Sequence, residues 1–215
     1  MDYQIIRAGK SRSFADDHPL IAGGKDGGQV VVVVGADAGA AFSRLKEIGA
    51  KTAVLVELGT ECLGAHTGEN RGEEGSNVLG FSRFRLGDAP ASDLVELVCQ
   101  PRTTLAAIDA ARAVFERHGL KVALCGDFAG RILDRLIRPY YNAALRRLDE
   151  GLATASDMDT TLKLGLGYPE GPIELLERTG IAHHYDVTQA LYEAYGDPAY
   201  APARRARVAK QRQKN

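Results

Sequence analysis

Residues 30–41 read VVVVVGADAGAA, an apolar run followed by a glycine-containing turn and small residues that suit a helix start. Glu57 ends the next apolar segment, 22 residues after Gly35. In dinucleotide-binding proteins such a turn holds a pyrophosphate on its backbone amides, and an acidic residue about 20 positions later holds the ribose. This chain has Asp37 and Ala40 where the fingerprint needs glycine. Because Asp37 adds bulk and negative charge beside an anion, the pattern favours a plain β-α-β unit without cofactor.

Two other sets of reactive side chains give no strong signal. The three cysteines, Cys62, Cys99 and Cys125, lack the spacing of a zinc or redox site, and we expect them to be small apolar residues in a reducing compartment. The pair His183–His184 stands at a predicted helix start, which favours a capping or surface role over metal binding. Neither set therefore predicts catalysis.

Composition and charge argue against several classes of function. The chain has 215 residues, of which 45% are hydrophobic and 26% charged, with a net charge of −1. This balance predicts neither nucleic-acid nor anionic-membrane binding. The longest apolar run, Val30–Val34, is too short to span a bilayer, and MDYQIIRAGK does not resemble a secretory signal. We therefore expect a cytoplasmic protein. The basic C-terminal tail predicts a solvated helix face, with a nucleic-acid-binding arm as the alternative; it contains Arg204, Arg205, Arg207, Lys210, Arg212 and Lys214.

The elements that would position these residues fall into two parts. Apolar and β-branched segments predict six strands in the first part, at residues 3–7, 30–34, 52–58, 78–84, 94–99 and 121–125. Helical spacing predicts helices over residues 38–48 and 103–118, and residues 64–77 read as a loop. The pattern is helical throughout after Asp127, so we place a domain boundary near Gly126.

The second part has the signals of about five helices. A broad apolar stripe runs from Ile132 to Leu148, and Pro139 within it predicts a kink. Ser156 followed by Asp159 resembles a capping box that opens the next helix. Pro172 and Gly180 suit the first turn and the end of a third helix. Two further helices are predicted at residues 182–195 and 203–211.

The segment from Cys125 to Gly180 resembles the C-terminal helical domain of the 3-hydroxyacyl-CoA dehydrogenase family. FAGRILDRLI, residues 128–137, is similar to the family's PGFIVNRLL, and LGLGYPEGP, residues 164–172, is similar to its LGxGxPMGP. A weaker resemblance continues upstream. GFSRFRL, residues 80–86, takes the place of GLHFFNP, and DLVELV, residues 93–98, that of KLVEV. Residues 58–61 lie at the Asn-Thr-Ser-Ser loop.

The resemblance implies an α/β plus all-α fold. Residues 1–126 would form a truncated, Rossmann-like parallel sheet, and residues 127–215 a helical domain like the C-terminal domain of 6-phosphogluconate dehydrogenase, through which two subunits pack. In this register Val30 to Leu58 is a late β-α-β unit. The first unit, with the cofactor fingerprint, would be replaced by about thirty residues of weak pattern.

Family members use NAD to oxidise a 3-hydroxyacyl-CoA, with a carboxylate-supported histidine as proton acceptor. Glu96 matches the carboxylate, but Ser82 stands where the resemblance places the histidine. Asp134 replaces the asparagine of NRLL, and Thr60 is the remaining hydroxyl of the loop. A serine hydroxyl cannot serve as a base near neutral pH, and the loss of a general base alone lowers rates by about 10²–10⁴-fold.

We therefore expect a catalytically degenerate relative that acts as a homodimeric scaffold or an acyl-CoA-binding subunit. The alternative is an active NAD-dependent 3-hydroxyacyl-CoA oxidoreductase of fatty-acid metabolism. NAD is the cofactor that the resemblance implies, and we do not expect it to be bound. Alternatives stay open for these residues. Glu96 is then a solvent-facing strand residue, and Asp134 forms a surface i, i+4 ion-pair set with Arg131, Arg135 and Arg138. Arg83 and Arg85 face either an acyl-CoA phosphate or solvent. No metal site, nucleic-acid partner or membrane contact is expected.

Overall fold

The computed structural model describes residues 2–213, which separate into two compact units. The α/β unit contains the residues up to 85 together with 91–131, and the helical unit contains 86–90 and the residues from 132 onwards. The α/β unit thus extends five residues beyond the expected boundary at Gly126. The reason is local, since Gly130 N–H donates to the Thr60 carbonyl at 2.9 Å within that unit.

The sheet of the α/β unit has its strands in the order of the chain, β1-β2-β3-β4-β5-β6. The strands are β1 Tyr3–Arg7, β2 Val30–Val34, β3 Ala53–Glu57, β4 Val78–Arg83, β5 Leu94–Cys99 and β6 Lys121–Gly126. Strands β1 to β4 are parallel, β5 is antiparallel to β4, and β6 is parallel to β5. All six predicted strands are confirmed. Continuous runs of β-branched residues such as Val30–Val34 are typical of strands in a sheet that is buried on both faces.

Both faces of the sheet are covered. One face packs against α1 Pro19–Ala22 and α4 Leu105–Arg117. The other packs against α2 Ala38–Phe42 and against Leu63, which precedes α3 Gly64–Thr67. The valines of β2 alternate between the two cores and are all buried. Strands β4 and β5 alternate in the same way, with Leu79, Phe81, Val95 and Leu97 in the first core, so Ser82 and Glu96 extend from the second face.

Helix α2 is shorter than predicted. Sequence spacing predicts a helix over residues 38–48, whereas α2 ends at Phe42. The Ser43 hydroxyl donates to the Ala40 carbonyl, a local bond with which serine competes against helix continuation. Glu47 then adopts a left-handed conformation with φ of 56°, and a 3₁₀ turn, η1, follows at Ile48–Ala50. The loop predicted for residues 64–77 likewise contains the one-turn helix α3.

The helical unit is built from α5 Leu133–Asp149, α6 Ala155–Leu166, α7 Pro172–Thr179, α8 Ile181–Tyr195 and α9 Arg204–Arg212. The capping expectation for α6 is wrong by two residues. Thr154 is the N-cap, and its hydroxyl accepts from Asp157 N–H at 3.1 Å. Asp159 instead caps α7, where its carboxylate accepts from the amides of Ile173 and Glu174.

Three basic residues of α9 are ion-paired with neighbouring helices. Arg204 and Arg205 lie 3.8 and 2.7 Å from the Asp149 carboxylate, and Lys210 lies 2.7 Å from that of Asp186. Ala206 of the same helix is fully buried. Across residues 2–213, no helix is both long enough and apolar enough to cross a membrane. The α/β sheet followed by an all-α part confirms the expected fold class.

Candidate functional site

Ser82 and Glu96 lie directly opposite each other on the antiparallel strands β4 and β5. Side chains of such a pair extend from the same face of a sheet, with Cβ atoms about 4.5–5.5 Å apart. Both residues are buried, and Glu96 is only 3% exposed. The interpretation of Glu96 as a solvent-facing strand residue is therefore wrong. The structure brings together the two residues that match the family's base and its carboxylate.

The guanidinium of Arg131 covers the Glu96 carboxylate. Its Nε lies 4.0 Å from Glu96 Oε2, and both side chains are more than nine-tenths buried. The other nitrogens of Arg131 donate to carbonyls of the 59–61 loop, Nη2 to Gly59 and Nη1 to Glu61 at 3.4 Å. Nε itself has no hydrogen-bond partner among residues 2–213. The carboxylate is thus compensated by a fixed cation.

Arg131 also has an unusual backbone. Its φ is +50°, in the left-handed region that non-glycine residues rarely adopt. In the register of the PGFIVNRLL motif, Arg131 stands at the phenylalanine, so a buried charge replaces an apolar ring. A surface ion-pair role with Asp134 is therefore wrong for Arg131, which is buried beside Glu96. The departure from the motif at this position was the signal that could have identified it.

Thr60 enters the arrangement through its backbone. Its carbonyl accepts from Gly130 N–H at 2.9 Å, which places the 59–61 loop beside the segment that carries Arg131. The Thr60 side chain is only half-buried, and its hydroxyl makes no hydrogen bond within the described part of the chain. Thr60 therefore helps to position Arg131, whereas the structure assigns no chemical role to its hydroxyl.

Asp134 belongs to the helical unit, where its carboxylate is engaged by Arg138. Asp134 Oδ1 accepts from Arg138 Nε at 2.7 Å, one helical turn away on α5. Sequence spacing correctly predicts this i, i+4 pair, but the expectation that it lies on the surface is wrong, because Arg138 is 1% exposed. Asp134 thus stabilises a buried arginine of its own unit.

The same buried network contains His184. Arg138 Nη1 lies 3.2 Å from His184 Nδ1, and His184 Nε2 lies 2.9 Å from Asn142 Oδ1. Because Arg138 can only donate, Nδ1 must accept and Nε2 must carry the proton. Burial, together with the charge of Arg138, lowers the pKa of His184 to about 3. The expectation of a surface or capping role is therefore wrong for His184, which is 1% exposed.

The glycine turn after β2 uses its own amides internally. Gly35 N–H donates to Glu57 Oε2 at 2.6 Å, and Ala36 and Asp37 donate to the carbonyls of Lys10 and Ala8 at 3.1 and 2.9 Å. A Cβ on Gly35 would overlap the Ala8 backbone. The amides of Gly35, Ala36 and Asp37 are therefore bonded to the chain itself.

Glu57, the residue at the position of a ribose-binding acid, is also internal. It is 6% exposed, and its Oε1 accepts from the Ser11 hydroxyl and from the amides of Arg12 and Ser13 at 2.8–3.1 Å. With the bond from Gly35, the carboxylate accepts four hydrogen bonds. Glu57 thus fastens the loop after β1 to the glycine turn and has no accessible edge for a ribose.

A carboxylate–imidazole pair lies beside this turn. His66 Nε2 is 3.4 Å from Glu61 Oε1, and a Cβ on Gly39 would overlap the His66 ring. Burial alone would raise the pKa of Glu61, but hydrogen bonds from the amides of Gly59 and Glu61 and from His66 lower it overall. Sequence reasoning missed this pair because residues 64–77 carry no periodic pattern.

Arg83 faces neither a phosphate nor solvent. Its guanidinium donates to the carbonyls of Ser92 and Ser13 at 2.7 and 2.8 Å, and it lies over the Phe14 ring at 5.1 Å. Both alternatives for Arg83 are therefore wrong, and the residue fastens the N-terminal loop to the sheet. Arg85 is half-buried. The described residues contain no cluster of histidine, cysteine and acidic side chains that could hold a metal ion.

Comparisons with known proteins support the resemblance. Residues 130–214 match the family model described as 3-hydroxyacyl-CoA dehydrogenase, C-terminal domain. A 3-hydroxybutyryl-CoA dehydrogenase of Bradyrhizobium diazoefficiens is 32% identical over 117 residues, which are 54% of this chain and 40% of that protein. The chain thus spans less than half the length of the curated relatives it matches.

Solved structures show the same fold. The crystal structure of FadB2 from M. tuberculosis superimposes with a TM-score of 0.71 at 23% identity, covering 86% of this chain and 66% of FadB2. The (S)-3-hydroxybutyryl-CoA dehydrogenase PaaH1 from Ralstonia eutropha gives a TM-score of 0.70 at 24% identity, covering 85% and 66%. Residues 130–214 thus correspond to the C-terminal domain of the 3-hydroxyacyl-CoA dehydrogenase family, and the chain is similar to members of that family over about half of its length.

Proposed function

We propose that this chain is a catalytically degenerate 3-hydroxyacyl-CoA dehydrogenase-like protein that acts as a homodimeric scaffold. The observation that carries the proposal is the environment of Glu96, whose carboxylate lies against Arg131 and opposite Ser82. A carboxylate supports a catalytic histidine by accepting its N–H and stabilising its charged form. Here the residue opposite Glu96 is Ser82, which has a hydroxyl in place of an imidazole. The positive charge beside the carboxylate comes from Arg131.

The glycine turn supports the same proposal. Its amides and Glu57 are bonded within the chain, so a pyrophosphate or ribose would have to displace existing hydrogen bonds. Asp37 would add a negative charge beside the phosphates. The sheet order points the same way, because a doubly wound sheet binds its nucleotide where the strand order reverses, and strands β1 to β6 follow the chain order.

The helical unit supports the proposed dimer. It presents large apolar side chains to solvent, and contiguous exposed apolar surface on a folded protein commonly marks an interface. These side chains are Leu136 at 69%, Leu152 at 69%, Leu164 at 84%, Leu166 at 63% and Tyr168 at 42% exposure. The α6 helix in particular buries only Asp159 within the chain. We propose a second copy of the chain as the partner that covers these residues, and a cytoplasmic location.

The alternative is an active NAD-dependent oxidoreductase, and one observation favours it. His66, supported by Glu61, lies against Gly39 of the glycine turn and keeps 22% of its side chain exposed. This imidazole could accept a proton if a substrate reached it. A third function, intermediate between scaffold and enzyme, is a subunit that binds acyl-CoA without turning it over. Arg83 does not favour it, because its guanidinium is bonded to backbone carbonyls and is unavailable to a CoA phosphate.

A turnover assay separates these functions. We expect the purified chain, mixed with acetoacetyl-CoA and NADH, to oxidise NADH no faster than the Glu96→Gln and His66→Gln variants. Turnover by the unaltered chain that falls at least tenfold in either variant would establish the oxidoreductase instead. For the dimer, light scattering should give twice the chain mass, and Leu164→Glu should reduce it to the monomer. Leu105→Glu is the matched control, since Leu105 is 77% exposed in the α/β unit.

A further inference from the structure

The carboxyl ends of β5 and β6 enclose a cleft that is separate from Glu96 and from the glycine turn. Its volume is about 560 Å³, within the roughly 300–1,000 Å³ range of small-molecule sites. The floor is apolar and is formed by Cys99, Ile108, Leu124, Cys125 and Phe128. Leu124 and Phe128 are 44% and 56% exposed. The cleft lies wholly within the α/β unit.

The two thiols of the floor belong to its apolar part. Burial, with a smaller contribution from the charge of Glu96, raises the pKa of Cys125 to about 11. Burial likewise raises the pKa of Cys99. Both sulfurs therefore remain protonated near neutral pH and behave as small apolar groups. A thiolate that could attack a ligand is absent from this floor.

Every charged side chain that lines the cleft is a carboxylate: Glu69, Glu74 and Asp127. Hydrogen bonds from the amides of Gly72 and Asn70 hold the pKa of Glu74 below its usual value, so Glu74 is ionised. An ionised carboxylate can only accept hydrogen bonds. The charged rim therefore offers acceptors and repels anions.

Gln100 adds an acceptor oxygen to this rim. It is 7% exposed and lines the cleft, and its Nε2 donates to Thr67 Oγ1 at 2.9 Å and to Asp127 Oδ2 at 3.0 Å. Since Asp127 can only accept, the amide nitrogen must face it. Oε1 is left as a carbonyl oxygen without a partner among the described residues. A ligand that satisfies it must donate.

We infer that this cleft binds a small organic cation, a primary ammonium carried on an apolar body. The ammonium group supplies donors and a positive charge to the carboxylates and to Gln100 Oε1, and its apolar body covers Leu124 and Phe128. The same chemistry disfavours a CoA ester, whose phosphates would meet three carboxylates. This inference does not depend on the proposed scaffold function.

The test compares three probes that share a six-carbon chain: n-hexylamine, 1-hexanol and hexanoate. Binding to the full chain is measured by thermal unfolding and by calorimetry at pH 7.5. We expect hexylammonium alone to raise the midpoint of unfolding in a concentration-dependent way. Raising NaCl from 0.05 to 0.5 M should weaken its binding severalfold, because salt screens the rim charges.

Two variants locate the site. Glu69→Gln combined with Glu74→Gln keeps size and acceptor oxygens but removes two charges, and we expect at least tenfold weaker binding of hexylammonium. The matched control is Glu116→Gln, which removes one exposed charge from the far end of α4. Leu124→Trp fills part of the cleft without changing its charge and should also weaken binding. It tests the site independently, in case the double glutamine variant does not fold.

Three results would overturn the inference. One is the absence of any response to hexylammonium up to its solubility limit. Another is an equal response to 1-hexanol, which would mean an apolar cleft without charge selection. The third is unchanged affinity in both the double glutamine variant and Leu124→Trp, which would place the binding elsewhere on the chain.

Discussion

Arg131 Nε and Glu96 Oε2 lie 4.0 Å apart, and the two side chains are only 3% and 4% exposed. The charges come from different elements, Glu96 from β5 and Arg131 from the segment that follows β6. Burial makes each charge dependent on the other, because desolvation is costly for an isolated ion. The residue that matches a catalytic carboxylate is therefore part of a buried ion pair.

Replacing Arg131 with methionine should destabilise the fold by about 3–5 kcal/mol, the usual cost of removing one partner of a buried ion pair. The double variant Arg131→Met with Glu96→Gln should recover much of that loss, since it leaves no unpaired charge. Urea unfolding of the two single variants and the double variant measures the coupling. Additive effects of the two substitutions would show that the residues do not interact.

Glu57→Ala should cost about 2–4 kcal/mol in unfolding free energy, because it leaves four donors without their acceptor in a buried site. Glu57→Gln should cost less, since one amide oxygen remains. The control Glu47→Gln alters an exposed glutamate and should change stability by less than about 0.5 kcal/mol. A nucleotide-binding role for Glu57 would instead predict near-normal stability in the alanine variant.

Gly39→Ala should displace the His66 ring, because the new methyl group would overlap it. Overpacking of this kind costs about 1–3 kcal/mol, and His66→Ala in the same chain should relieve most of it. Gly165→Ala is the control. Its Cβ would meet open space on α6, so it should stabilise by up to about 1 kcal/mol. Chemical denaturation of the four variants checks this, and no relief in the double variant would contradict the packing account.

His184 should make stability depend on pH. Its pKa is about 3 in the folded chain and 6.5 in the unfolded one, so the unfolded chain binds the extra proton. Stability is fully present above pH 6.5 and falls as the pH drops toward 3, with a limiting slope of about 1.4 kcal/mol per pH unit. His184→Gln should show a shallower acid dependence. The unfolding free energy is measured between pH 4.5 and 6.5 for the unaltered chain and the variant. Equal slopes against pH would contradict a contribution from His184.

Much of the fold could be predicted from local patterns. Runs such as Val30–Val34 identify buried strands, and Pro172 with Gly180 marks α7, since these signals act over a few residues. The helix over residues 38–48 and the cap at Ser156 were wrong in detail. In both cases short polar side chains formed alternative backbone hydrogen bonds, which spacing alone does not reveal.

The candidate site was only partly predictable. The pairing of Ser82 with Glu96 followed from matching two motifs to neighbouring strands. The position of Arg131 depends on a left-handed backbone and on carbonyls 70 or more residues away in the chain. The glycines of the turn suggested phosphate binding, yet Gly35 and Gly39 are required by the Ala8 backbone and by His66. Such long-range contacts have no local sequence pattern.

Direct titration of the purified chain with NADH tests the central claim, that the glycine turn after β2 and Glu57 are engaged by the chain's own hydrogen bonds and hold no nucleotide. Nicotinamide fluorescence or calorimetry should show no saturable binding up to millimolar NADH. Saturable binding in the micromolar range that is lost when Gly35 is changed to valine, with the variant still folded, would contradict this account.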